Sequence, residues 1–142
     1  MGELIDILPV GHLHGEGVQW NGDDGCLWWT DISGCALHRY ALENRQLSSW
    51  ATPERLGCFA FIEGDARLLA AFASGFALFE PDSGRLQWLD RCEPAGSGRR
   101  FNDGRVDRQG RFWAGTMVED ASRAGPYSAS LYCLGADGRA QQ

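Results

Sequence analysis

The sequence contains no lysine: all 13 of its basic residues are arginines. Chemistry that needs a primary amine, such as a Schiff base or a P-loop lysine, is therefore excluded, while planar recognition of a carboxylate or a polyhydroxylated ligand by arginine stays open. There is no basic excess either. The 19 acidic residues bring the net charge to -6, which removes the electrostatic footprint of a nucleic-acid binder. No apolar run approaches the ~20 residues of a membrane span. The first ten residues carry Glu3 and Asp6 and no basic residue, unlike a secretory signal, so the expected location is cytoplasmic. Cys26, Cys35, Cys58, Cys92 and Cys133 are odd in number and form no C-x-x-C pair, which argues against a zinc ribbon and against a disulfide framework. Reduced, mostly buried thiols are the expectation. His12 and His14 alternate as on a strand, yet the sequence shows no partners that would complete a zinc site.

What the chain does have is glycine and tryptophan, 19 and 6 of them in 142 residues. A domain of this length can bury roughly two-thirds of its unfolded surface. A composition of short strands and tight turns, however, often belongs to architectures that need more length to close. The turns recur. Asp24-Gly25, Gly64-Asp65 and Gln109-Gly110 each precede an apolar strand, over residues 26–32, 67–73 and 111–117. A second set, Glu43-Asn44, Asp82-Ser83-Gly84 and Asp137-Gly138, follows strands over residues 36–41, 75–80 and 130–134. Gly25 and Asp65 are 40 residues apart, Asp65 and Gly110 45. Turn residues tolerant of positive φ between apolar runs signal hairpins. A four-stranded unit of roughly 40–45 residues has the size of a propeller blade.

The predicted fold is thus all-β, with about three four-stranded blades over residues 11–50, 51–95 and 96–142 of one domain. Trp28, Trp29, Phe72 and Trp113 occupy matching strand positions, where blade-to-blade packing accounts for them. Three blades fall short of the roughly four to eight that close a ring, so the expectation is an incomplete propeller.

Two segments carry polar groups that packing does not need. Glu16 sits between Gly15 and Gly17 at the start of the first inner strand. A carboxylate facing a channel there is a hard oxygen ligand for a divalent ion, or else a solvated surface group. Residues 99–107, Arg-Arg-Phe-Asn-Asp-Gly-Arg-Val-Asp, place dense charge where a strand enters the middle of the fold, which is costly unless the charges are paired or used. Arg100 and Asn102 would face one side of that strand. Asp103 and Asp107 also read as turn caps or as partners of Arg105.

The segments GEGVQW, LWWTDI and RFNDGRVDRQGRFWAGTM resemble the SMP-30/gluconolactonase/LRE (regucalcin-like) family, over about residues 11–139. The resemblance implies a six-bladed propeller of roughly twice this length that hydrolyses sugar lactones to aldonic acids with a divalent metal, Ca²⁺, Zn²⁺ or Mn²⁺, in its central channel. It implies Glu16 as a metal ligand and Arg100 and Asn102 as residues that hold the lactone. A substrate-contacting carboxylate falls at Asp120, or at Glu119 if the register shifts by one. The extra residues 118–128 then form a loop at the channel mouth, turning at Gly125-Pro126. The family's remaining Asn and Asp ligands, the Asp being also its general base, fall in a second half. One carboxylate cannot hold an ion that takes several oxygens, so the metal is expected not to be held by this chain alone. A complementing C-terminal half, self-association into a ring, or an inactive fragment are the alternatives to a working enzyme.

Overall fold

The computed structural model describes Gly2 and residues 4–125 and 128–142. Each predicted turn joins two antiparallel strands, and the strands form three four-stranded sheets. The first blade comprises β1 (Gly15–Asn21), β2 (Cys26–Asp31), β3 (Ala36–Ala41) and β4 (Gln46–Ala51). The second comprises β5 (Leu56–Ile62), β6 (Asp65–Phe72), β7 (Gly75–Glu80) and β8 (Arg85–Asp90). The third comprises β9 (Arg99–Val106), β10 (Phe112–Val118), β11 (Leu131–Leu134) and β12 (Ala140–Gln141). These are propeller blades, with β1, β5 and β9 as their first strands. The segment after β10, expected to be loop, contains one turn of helix, α1 (Ala121–Ala124). Gly125 closes it at φ 73°, whereas Pro126, the other half of the expected turn, lies outside the described residues.

The same turn chemistry repeats in every blade. At the first hairpin, a carboxylate oxygen accepts a backbone N–H at or beside the start of the second strand: Asp24 from Cys26 at 3.0 Å, Asp65 from Arg67 at 2.9 Å and Asp107 from Arg111 at 3.0 Å. At the last hairpin Asn44, Ser83 and Asp137 do the same for Gln46, Arg85 and Arg139. Short polar side chains that bond their own backbone fix these turns locally. Gly84 and Gly138 take the left-handed position of that last hairpin, but the first blade has Arg45 there, at φ 56°. A side chain with a Cβ is strained in this region. Arg45→Gly should therefore raise stability by a few tenths to about 1 kcal/mol, the relief of strain exceeding the extra chain entropy of glycine; an unchanged or lower midpoint in urea would refute this.

Alternate residues of a strand face opposite sides, and the middle blade, covered on both, is apolar from Leu68 to Phe72 of β6. One face of it packs Leu56, Phe59, Leu68, Phe72 and Phe79 against Cys26, Trp28 and Leu37 of the first blade. The other packs Cys58, Ala60, Ala71 and Phe76 against Phe101, Phe112, Ala114, Tyr132 and Leu134 of the third. Trp28 and Phe72 thus fill the expected role between blades. Trp29 and Trp113 do not, because each lies one residue out of phase with the neighbours that enter the core. Trp29 turns to the outer face of the first blade, where its indole donates to His12 Nε2 at 2.7 Å and stacks on His38. Trp113 donates to Asp107 and lies under Arg111.

Residues 4–14 run across that outer face. Tyr40 donates to Asp6 at 2.7 Å, and Asp31 accepts the backbone N–H groups of Leu13 and His14 at 3.0 and 2.9 Å. Among the cysteines Cys26 and Cys58 are buried and the other three half-buried, all as free thiols. Burial pushes the Cys58 thiol well above its ordinary range, so it is inert. No helix among the described residues is long and apolar enough to cross a membrane.

Candidate active site at the rim of the blades

The first strands of all three blades break register close to where they begin. The irregularity falls between Glu16 and Gln19 in β1, at Gly57 in β5 and at Asn102 in β9. A bulge inserts one unpaired residue, bends the strand and re-aims side chains, and it is a common device beside active sites. Three bulges at equivalent places define one rim, and the sequence-predicted residues Glu16, Arg100 and Asn102 all lie on it.

In the third blade the bulge brings Arg100 and Asn102 together. Arg100 is 3% exposed. Its Nη1 donates to Asn102 Oδ1 and to the Phe101 carbonyl, both at 2.9 Å, and its Nε donates to Glu119 Oε1 at 2.7 Å. Among the described residues its Nη2 makes no hydrogen bond. The guanidinium is therefore fixed by a carboxylate, an amide and a carbonyl, with the two N–H donors of Nη2 left over among the described residues. Glu119 is placed by its own backbone, whose N–H donates to Gly98 O at 2.8 Å. Burial pushes the Glu119 carboxyl up, but the bonds from Arg100 and Arg55 outweigh it and leave the group below the usual carboxylate range.

Asp120, the neighbouring candidate, points elsewhere. Its carboxylate accepts the backbone N–H and hydroxyl of Ser122 as the N-cap of α1 and pairs with Arg123 at 3.2 Å. An Asp at an N-cap satisfies otherwise unpaired N–H groups of the first turn. Of the other candidates in this stretch, Asp103 pairs with Arg105 at 2.8 Å, and Asp107 holds the turn before β10.

Glu16 lies two blades away on β1. Its side chain is 57% exposed, with His14 Nε2 at 3.5 Å. His12 is turned away to Trp29 and stacks on His38 at 4.1 Å. No group of three His, Cys, Asp or Glu side chains among the described residues is arranged to hold a metal ion.

Two residues of the rim escape a reading of the sequence. Arg55, directly before β5, donates to the same Glu119 oxygen as Arg100, at 2.6 Å. Its position in the second blade, equivalent to that of Arg100 in the third, is the signal that would have found it. Glu93, in the link between β8 and β9, is 1% exposed; its backbone N–H donates to Ser74 O beside the second blade at 3.1 Å, and its carboxylate accepts from Arg99 at 2.8 Å and from Tyr132 at 3.1 Å, both in the third. No local pattern marks it.

Gly57 sets the fit of β5 against β9. A Cβ there would lie 2.7 Å from the Phe101 carbonyl oxygen and 2.8 Å from its carbon. Both are backbone atoms and cannot swing aside. Gly57→Ala should cost about 1–3 kcal/mol through overpacking, and it should shift the amide resonances of residues 100–102; wild-type stability with an unperturbed spectrum in that segment would show that the strands have more room.

A family model described as an SMP-30/gluconolactonase/LRE-like region matches residues 14–142. The chain belongs to this family. Within the family it is 35% identical to the L-arabinolactonase of Azospirillum brasilense, across 96% of this chain and 45% of that protein. It is also 35% identical to the 6-deoxy-6-sulfogluconolactonase of Pseudomonas putida, across 89% of this chain and 42% of that one. The crystal structure of regucalcin from Agrobacterium tumefaciens, described as a calcium-binding protein, superposes with a TM-score of 0.81 at 30% identity, across 92% of this chain and 42% of that one. The chain spans less than half the length of these relatives. The fold resemblance therefore covers almost all of the chain, and its three blades correspond to part of a longer propeller.

Proposed function

We propose that this chain contributes the lactone-holding side of a sugar lactonase site. The reading rests on one observation above the rest: a buried arginine, Arg100, locked by Glu119 and Asn102 on the rim, with its Nη2 unbonded among the described residues, in a family whose members include an L-arabinolactonase. Lactone opening puts negative charge on the carbonyl oxygen, and a preorganised guanidinium stabilises such charge without reorganising. Arg100 would donate to ring or carbonyl oxygens. Asn102, already fixed through its Oδ1, would offer its amide N–H₂ to the sugar. Glu119 acts by holding Arg100, and Asp120 stands beside it at the mouth.

The metal is a different matter. The family resemblance suggests a divalent cation, and the regucalcin neighbour favours Ca²⁺ over Zn²⁺ or Mn²⁺. Ca²⁺ takes about 6–8 oxygens, and Glu16 supplies one carboxylate with only His14 beside it. The described residues do not make up such a site. In this reading the other ligands and the general base come from a complementing partner segment.

A titration with L-arabinono-1,4-lactone, followed by the Nε–H resonance of Arg100 and the side-chain amide of Asn102, tests the binding role. Both signals should move in the wild-type chain, and Asn102→Ala should weaken binding about tenfold, the loss of one or two hydrogen bonds. Unmoved signals at millimolar lactone would refute the proposal.

A second reading, assembly with a further copy or with a complementing half, is supported by the outer face of the first blade. There Val18, Trp20 and Leu47 stay exposed, the pattern of an association surface. Native mass measurement separates the cases, since a stable monomer excludes the closed dimer.

A further inference from the structure

Where Arg55 and Arg100 meet on Glu119, the rim locally carries one more positive charge than it balances. Arg91 pairs with Glu54 at 3.0 Å and Arg99 with Glu93 at 2.8 Å, one cation to one carboxylate. Asp120 is matched by Arg123, and Asp103 by Arg105. Arg55 and Arg100, by contrast, converge on a single oxygen of Glu119, at 2.6 and 2.7 Å. Two guanidiniums against one carboxylate leave a unit positive charge at this point. Glu16 and Asp31, further carboxylates at this end, belong to the first blade, where Glu16 has His14 beside it and Asp31 accepts the backbone N–H groups of Leu13 and His14.

The two arginines differ in freedom. Arg100 is buried and held on three sides. Arg55 has a 38% exposed side chain and, with Glu54, Ser74, Pro94 and Arg99, lines a recess of about 400 Å³ next to the rim. Glu54 is committed there to Arg91 and to the backbone and hydroxyl of Ser74. Arg55 is thus the one cation of the recess whose carboxylate is shared with a second arginine. A ligand whose ring sits at Arg100 and Asn102 could send a substituent into this recess, where an anion would restore the balance of charge.

From this juxtaposition we infer that Arg55 is a specificity-determining residue, and that the site prefers sugar lactones bearing an anionic exocyclic group, a carboxylate, sulfonate or phosphate, over neutral ones. The inference rests on the lactone-binding role given above to Arg100 and Asn102. A charge at the far end of the sugar is recognised by Arg55 through charge-assisted hydrogen bonds, and screening by salt weakens the preference because Arg55 is partly solvated.

The test compares two lactones with the same ring, neutral D-glucono-1,4-lactone and D-glucaro-1,4-lactone, which differ in a hydroxymethyl against a carboxylate. Calorimetric titration of the 142-residue chain at pH 6.5 and low salt should give a dissociation constant about tenfold lower for the glucarolactone. In Arg55→Gln the ratio should collapse to below about twofold, and in Arg55→Lys, which keeps the charge, most of it should return. Equal affinities in the wild type, or a preference that survives Arg55→Gln, would overturn this inference and leave the lactone-binding reading standing. Failure of both lactones to bind would overturn that reading and the inference together.

Discussion

Phe101→Ala is expected to lower the free energy of unfolding by about 3–5 kcal/mol, the range for removing a fully buried aromatic ring whose site cannot collapse around the cavity. Phe101 is 0% exposed, and its ring meets that of Phe76 at 4.8 Å and that of Tyr132 at 5.4 Å. It therefore ties β9 both to the middle blade and to β11. It also lies between Arg100 and Asn102 in the chain, and its carbonyl accepts from Arg100. Losing the ring should consequently affect function as well as stability, since the bulge that aims both site residues is anchored by it. Chemical denaturation gives the stability change. A loss below about 1 kcal/mol would mean that the interface between the second and third blades repacks and is looser than its ring geometry suggests.

Glu93→Ala should be the next largest effect, about 2–3 kcal/mol. Removing one partner of a buried pair costs about 3–5 kcal/mol where the other charge is stranded. The value is set lower here because Arg99 keeps a quarter of its side-chain surface and can be hydrated. The Tyr132 hydroxyl, in a residue only 8% exposed, would lose its acceptor and has less recourse to water. Glu93→Gln keeps an acceptor for Tyr132 and should recover part of the loss. If Glu93→Ala and Glu93→Gln both unfold at the wild-type midpoint, the bonds of the Glu93 carboxylate to Arg99 and Tyr132 contribute nothing to stability.

The legibility of the fold has a simple origin. Hairpins are punctuated by residues that act on their own backbone, such as Asp24, Asp65 and Asp107, and such chemistry spans two to four residues. The turns and the blade repeat could be read for that reason. The apolar run of β6 marked a strand; that it is covered on both faces emerged from the packing of the blades. Trp29 and Trp113 show the limit, because the faces of a strand alternate and only the stacking of the blades decides which face is covered.

The site was legible to the same depth. Arg100 and Asn102 were conspicuous as charge and amide entering the middle of a propeller, and family motifs named them. Of the two carboxylates that the family resemblance offered, Asp120 and Glu119, the structure gives each its own partner: Glu119 meets Arg100 and Asp120 caps α1. The preference of Asp for an N-cap followed by Ser is local, but recognising it required knowing that a helix starts there.

The amino-acid order by itself determined the hairpins, the number of blades and the family, and it singled out the pair Arg100 and Asn102, all through short-range signals or a contiguous motif. Only the tertiary structure decided that Arg55 joins Arg100 on Glu119 and that Glu93 bridges Arg99 and Tyr132. Ion pairs and hydrogen bonds act at about 3 Å, whereas Arg55 and Glu119 are 64 residues apart and Glu93 and Tyr132 39. Stacking of one blade on the next brings such residues within reach, and nothing in their local sequence records it.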